Sequence, residues 1–267
     1  MTDPRQQRAK PPTQSLRKAY EEYIAECVEE YKSQIPRSEL LELADEAVLS
    51  LAREDPQLSF TEVLLTEKVD ELIVNNLKLP SFIRWKRKYA QMRAAQSDPA
   101  HWGIDKNCPM IDFATRLEAT DTALVVGKSA LGIGFFLAAH DVPVLFVDGE
   151  LETVDAAEHR AASEALVSRF EAFVVDLGGG WFPEVVATLV VLDPMALSSL
   201  STAEVNSAIT VLKELTAPGG IHCILPEETS DPNSRMLQSR TIQQHYIGWA
   251  SRHSQKWLVN SKLASSQ

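Results

Sequence analysis

Three carboxylates stand at the carboxyl ends of short apolar runs, and that is where an open parallel sheet concentrates its chemistry. Asp148 closes the run Val144–Val147, Asp176 follows Ala172–Val175, and Asp193-Pro194 closes Thr188–Leu192. A carboxylate at the first of these positions can accept both hydroxyls of a ribose. One at the second can accept from the exocyclic amine of an adenine, with Leu177 offering its amide alongside. Asp193 stands where the reacting part of a substrate would lie and is the candidate catalytic group; its other reading is the opening of a turn. Upstream, Gly127-Lys128-Ser129-Ala130-Leu131-Gly132-Ile133-Gly134 is a turn of small residues that lets backbone approach a ligand and opens a helix N-terminus, which favours negative charge. Gly127, Ser129, Gly132 and Gly134 are therefore candidate ligand contacts together with Asp148, Asp176 and Leu177. Each has a structural alternative. The glycines can serve close packing of helix on sheet, and Asp148 can cap the next helix.

Other chemistries fit less well. The phosphate-binding loop suggested by Gly127-Lys128-Ser129 needs a glycine where Thr122 stands, and a hydrolase nucleophile elbow needs one at Leu131. A dinucleotide fingerprint starting at Gly132 fails at Leu137. His222, inside a strand, reads as a core histidine, while His245, near Tyr246 and Trp249, reads as a surface residue or a pocket wall. Cys27, Cys108 and Cys223 form no CxxC pair and no metal-ligand spacing, so no metal site is expected and a reducing compartment, the cytoplasm, is.

The elements that must position these residues fall into two parts. Residues 1–13 read as a solvated, disordered tail, 14–107 as a helical domain and 108–267 as an α/β domain. In the helical part, helices begin at Ser15 and at Ser38, a third opens with a capping box of Ser59 and Glu62, and a fourth follows Pro80-Ser81. The second is stopped by Asp55-Pro56. The fourth carries Arg84, Lys86, Arg87, Lys88 and Arg93 with no acid between Ser81 and Ser97, and interleaves Phe82, Trp85 and Tyr89. That pattern suits stacking on nucleobases or a protein partner, or simply a helix that turns its aromatics inward. From Cys108 onward, strands at Ala123–Val126, Val144–Val147, Ala172–Val175, Thr188–Leu192 and Ile221–Leu225 alternate with helices, the pattern of a parallel sheet covered on both faces. Thr241–Ala250 and Lys256–Leu263 read as a closing antiparallel hairpin turning at Arg252-His253-Ser254-Gln255.

In the order of its glycine turn, Asp148, Asp176 with Trp181-Phe182-Pro183 behind it, Asp193-Pro194, and Leu215-Thr216-Ala217-Pro218-Gly219-Gly220 before a strand, the segment from Ile111 to Leu263 resembles the class I S-adenosylmethionine-dependent methyltransferases. The resemblance implies a Rossmann-like sheet, mostly parallel with an antiparallel C-terminal hairpin, preceded here by the helical domain. It implies S-adenosylmethionine as cofactor and methyl transfer to a small-molecule acceptor. Two alternatives share the fold: an inactive interaction module, and aminopropyl transfer from a decarboxylated cofactor. A helical domain in this setting suits a protein partner or a homodimer contact. The first motif departs from the family's pattern, with Val125 where an acid normally helps hold the cofactor's methionine end, and Ser129 and Leu131 where glycines stand.

Charge bounds the partners further. The 267 residues carry 37 acids against 26 Lys plus Arg, a formal net charge of −11, which opposes broad binding to a phosphate backbone. Any nucleic-acid contact is expected to be local. No run approaches the ~20 apolar residues of a membrane helix, and no membrane association is expected.

Overall fold

The computed structural model describes residues 15–54, 61–226, 242–254 and 257–262. The expected tail, the Asp55-Pro56 stop and the Ser59 arm of the expected capping box lie outside them. The chain divides into two compact units, Met1–Gln91 and Met92–Gln267.

The first unit contains α1 (Leu16–Gln34), α2 (Arg37–Glu54), α3 (Glu62–Asn76) and the start of α4 (Phe82–Gln96). Ser15 caps α1 through its side chain, which accepts from the Arg17 amide, and Thr61 caps α3 by accepting from the Leu64 amide. Val28, Leu43, Ala47, Val69 and Ile73 form its core. Beside that core the aromatics of α4 turn inward: Trp85 is buried, stacks on Tyr89 with centroids 4.9 Å apart, and packs against Tyr20 and Tyr23. Arg84, Lys86, Arg87 and Lys88 are exposed. Amphipathic sorting therefore divides this helix into an aromatic inner side and a basic outer one.

The second unit is built on a seven-stranded sheet in the order β3-β2-β1-β4-β5-β7-β6. Its strands are β1 (Ala123–Val126), β2 (Val144–Asp148), β3 (Phe170–Val174), β4 (Ala187–Leu192), β5 (Thr216–Ile224), β6 (Ala250–Ser254) and β7 (Trp257–Ser261). The first five pair in parallel, and β7 runs antiparallel to both β5 and β6. β1 is buried along its whole length because its alternate residues feed two layers. Ala123 and Val125 pack with α6 (Leu131–Ala139) and α7 (Leu151–Ser163), while Leu124 and Val126 pack with α8 (Thr202–Glu214). A short helix, α5 (Pro109–Ala114), precedes β1. This is the expected Rossmann-like sheet of methyltransferase type, preceded by helices.

Two expected boundaries are corrected. Residues 242–249 do not form a strand: residues 242–244 are helical, and the amides of His245, Tyr246 and Trp249 donate three residues back, to Ile242, Gln243 and Tyr246, winding the rest into turns. The strand is Ala250–Ser254, so Arg252, His253 and Ser254 belong to β6 rather than to the hairpin turn. Pro218-Gly219-Gly220 does not precede β5 but lies inside it, as an irregularity where the register against β4 slips from Ala187↔Thr216 to Leu189↔Ile221.

His222 is fully buried, and its ring is satisfied on both sides. The Thr216 hydroxyl donates to the Leu212 carbonyl, 2.6 Å away, and so accepts from His222 Nε2–H at 2.6 Å. Nδ1 is then bare and accepts from the Tyr246 hydroxyl at 2.7 Å. Burial, with Lys213 and Lys262 nearby, pushes the imidazole down to about 3. It is a neutral core group, as its place in a strand suggested. Cys108 and Cys223 are buried free thiols and Cys27 is a half-buried one. Among the described residues, no helix is long and apolar enough to cross a membrane, and no His/Cys/Asp/Glu group of metal-binding type occurs.

Candidate functional site

Parallel strands β1 to β4 end on the same edge, and a cleft of about 830 Å³ opens there. Lys128 and Ser129 wall it from β1; Asp148, Gly149 and Glu150 from β2; residues Val174 to Gly178 from β3; and Asp193, Met195, Ala196 and the Ser198–Leu200 stretch from β4. A volume of that order suits a ligand of nucleoside size or larger. Of the residues singled out from sequence, Ser129, Asp148, Asp176, Leu177 and Asp193 come together at this cleft.

Gly132 and Gly134 are not among its walls. Both sit in α6, where a side chain on Gly132 would meet the Trp102 carbonyl oxygen at 2.5 Å and one on Gly134 would meet the Phe170 ring at 3.3 Å. Their structural role is close packing. Gly127 is not a wall residue either; it has φ +92°, and its α-carbon lies so near the turn after β4 that a Cβ would stand 2.7 Å from the β-carbons of both Asp193 and Ala196. Only glycine combines that φ with that approach.

The closeness of Gly127 to Asp193 organises the turn. Asp193 is 3% exposed. Its Oδ2 accepts from the Ser129 amide at 2.9 Å and its Oδ1 from the Met195 amide at 2.9 Å. Asp148 does the corresponding work from β2. It is 6% exposed, its Oδ1 accepts from the Glu150 amide at 2.9 Å, and the Lys128 amide also faces its carboxylate. Burial pushes the Asp148 carboxyl above the usual carboxylate range, and the charges of Glu150 and Asp193 push the same way against the two amides. Val125, where the resemblance calls for an acid, is fully buried and packs beside Gly134.

The β3 side differs. Asp176 is exposed, and among the described residues no donor meets its carboxylate and no acceptor meets the Leu177 amide. Sequence reading passed over Glu150 and the Ser198-Ser199 pair as wall residues, and treated Lys128 only as part of a turn. The signal for Glu150 is its place two residues after Asp148 in the same strand-end turn.

No protein-family model matches this chain, and neither does any curated protein sequence. Among solved structures it is similar to an O-methyltransferase family protein from Burkholderia thailandensis, at 17% identity, covering 59% of this chain and 56% of that one, with a TM-score of 0.42. It is also similar to the N-methyltransferase NodS from Bradyrhizobium japonicum WM9, at 13% identity, 59% and 94% coverage and a TM-score of 0.47. NodS in complex with S-adenosyl-L-homocysteine gives 15% identity, 67% and 98% coverage and a TM-score of 0.44. The chain thus spans little over half of the Burkholderia protein and nearly all of NodS. These are likenesses of fold. The class of the second unit, a Rossmann-like α/β unit of methyltransferase type, rests on its own sheet order and strand directions.

Proposed function

We propose that the cleft binds the adenosyl half of S-adenosylmethionine or of a close relative, and that the chain serves methyl transfer to a small-molecule acceptor. The observation that supports this reading is the placement of Asp148 and of the Asp176-Leu177 pair on adjacent strand ends of one cleft. Asp148 keeps lone pairs for ribose hydroxyls. Asp176 and the Leu177 amide offer one acceptor and one donor to an adenine edge, the complement of its amine and ring nitrogen. S-adenosylmethionine, when bound, supplies a methyl group already activated by a positive sulfur. What remains for this chain is orientation and the exclusion of water, which can carry most of such a reaction. Asp193, with both oxygens held by backbone amides, is a brace on this geometry rather than a free base.

A second reading, an inactive methyltransferase-like module, is favoured by Val125 and by the Asp193 brace, because both remove means of holding the cofactor's methionine end. Aminopropyl transfer is a third reading; the acidic cleft wall is its only support. Calorimetric titration of the chain with S-adenosylmethionine and S-adenosylhomocysteine tests the first. Saturable binding weakened by Asp176→Ala is the expected result, and no binding at millimolar concentration by either compound or by adenosine removes it.

A further inference from the structure

Two helices of the first unit turn outward faces of opposite charge and matching pattern. On α4, Arg84, Arg87 and Lys88 are exposed, with Lys86 beside them, and Ile83 stands among them 72% exposed. On α2, Glu42, Asp45 and Glu46 are exposed, and Leu41 and Leu49, each 58% exposed, flank them. Both charged triplets follow the i, i+3, i+4 spacing that keeps side chains on one helix face. Among the described residues none of these charged groups forms an ion pair. The inner sides of the two helices are already occupied: α2 packs on α3, and α4 packs on α1 through Trp85 with Tyr20 and Tyr23.

We infer that α4 of one chain docks on α2 of a second copy, its basic triplet against the acidic one and Ile83 against the leucines. The net charge of −11 opposes a second copy and a polyanion alike at long range, so the choice between them falls to what the face offers at contact. A phosphate backbone has no use for an exposed isoleucine, whereas Leu41 and Leu49 give it apolar partners. Base stacking is closed to this helix, because Trp85 is buried and packed against the other aromatics. Antiparallel alignment brings Glu42 opposite Lys88 and Glu46 opposite Arg84 of the other copy, while Arg37 and Arg53 fall at the two ends of α2, outside the acidic stretch. Exposed ion pairs are individually weak and are screened by salt, so the association is expected to be weak and salt-sensitive. Reciprocated, the contact closes a two-fold dimer; made once, it runs head to tail.

Sedimentation equilibrium of the full chain over a concentration series tests the inference. At low ionic strength the weight-average mass is expected to rise from that of one chain toward that of two or more, and to fall back at about 1 M salt, where the screening length is ~3 Å. Reversing either face, by Arg84→Glu with Arg87→Glu or by Glu42→Lys with Asp45→Lys, should weaken association about tenfold or more. Mixing the two reversed chains should restore it, because each then carries the complement of the other. All four positions are exposed on helices, and circular dichroism checks that the variants fold. Ile83→Ser, expected to weaken association about threefold or more, stands in for a variant that does not. A chain that stays monomeric at low salt up to about millimolar concentration overturns the inference. So do reversed variants that associate like the unaltered chain, and so does a mixture that stays dissociated. A monomer that binds an oligouridylate at low salt and loses it on Arg84→Glu with Arg87→Glu gives the basic face to nucleic acid and overturns it equally.

Discussion

The turn after β1 and the turn after β3 wall the same cleft, yet they differ in what they have left to offer a ligand. In the first, each amide from Gly127 to Leu131 is directed at an acceptor of the chain itself, and the two carboxylates that reach it, Asp148 and Asp193, are almost wholly buried. In the second, the Asp176 carboxylate is exposed and the Leu177 amide meets no acceptor among the described residues. Satisfied polar groups stabilise a fold; unsatisfied ones at a cleft wait for a partner. Position at a strand end does not by itself make a residue a ligand group. What decides is whether the chain has already used its hydrogen-bonding capacity.

Substitutions can break this contrast in a definite order. The largest effect is expected for Gly127→Ala, which imposes both a left-handed φ and a 2.7 Å clash with the β-carbons of Asp193 and Ala196. Backbone strain and overpacking together predict a loss of about 3 kcal/mol or more in denaturant unfolding. Asp193→Ala strands the Ser129 and Met195 amides, and a loss of about 2–3 kcal/mol is expected in the same measurement. On the other turn the balance reverses. Asp176→Ala should change stability by no more than about 0.5 kcal/mol, since the residue is exposed and, among the described residues, unpaired, yet weaken adenosine binding about tenfold by calorimetry. A stability loss for Asp176→Ala as large as that for Asp193→Ala would erase the distinction between the turns.

The smallest effect is one of pH. Ribose hydroxyls donate to an ionised Asp148, so adenosine affinity should fall as pH falls, with a midpoint above the ordinary carboxylate value of about 3.9 because burial raises this group. The sign for stability is opposite: a carboxyl whose folded pKa is raised favours folding at low pH and loses that contribution as pH rises through it. Asp148→Asn should therefore remove the pH dependence of binding.

How much of this was legible in the sequence follows from the range of the interactions involved. Five parallel strands, and the residues that end them, could be read because apolar runs and helical periods are local. The glycine turn could be seen, but its closure could not, since Ser129 and Asp193 are 64 residues apart and nothing in either neighbourhood announces the other. Gly132 and Gly134 looked the same as ligand-facing glycines until Trp102 and Phe170, also remote in sequence, appeared against them. The C-terminal boundary was missed because Tyr246 and Trp249 suit a strand by type. Tyr246 is instead held by His222, and the Lys213 ammonium lies 5.5 Å from the Trp249 ring centroid while donating to the His245 carbonyl.

The relay from Tyr246 through His222 and Thr216 to Leu212 also gives the molecule a spectroscopic gauge. Its hydrogen-bond directions admit a single ring tautomer, with the proton on Nε2, and nitrogen shifts report that tautomer directly. With the imidazole pushed down to about 3, the signal should hold steady on acidification until the core admits water. Once the chain opens, the same ring titrates near its ordinary value of about 6.5, so acid favours the open form across that interval. A change in this one resonance would mark the moment at which the sheet's C-terminal closure gives way.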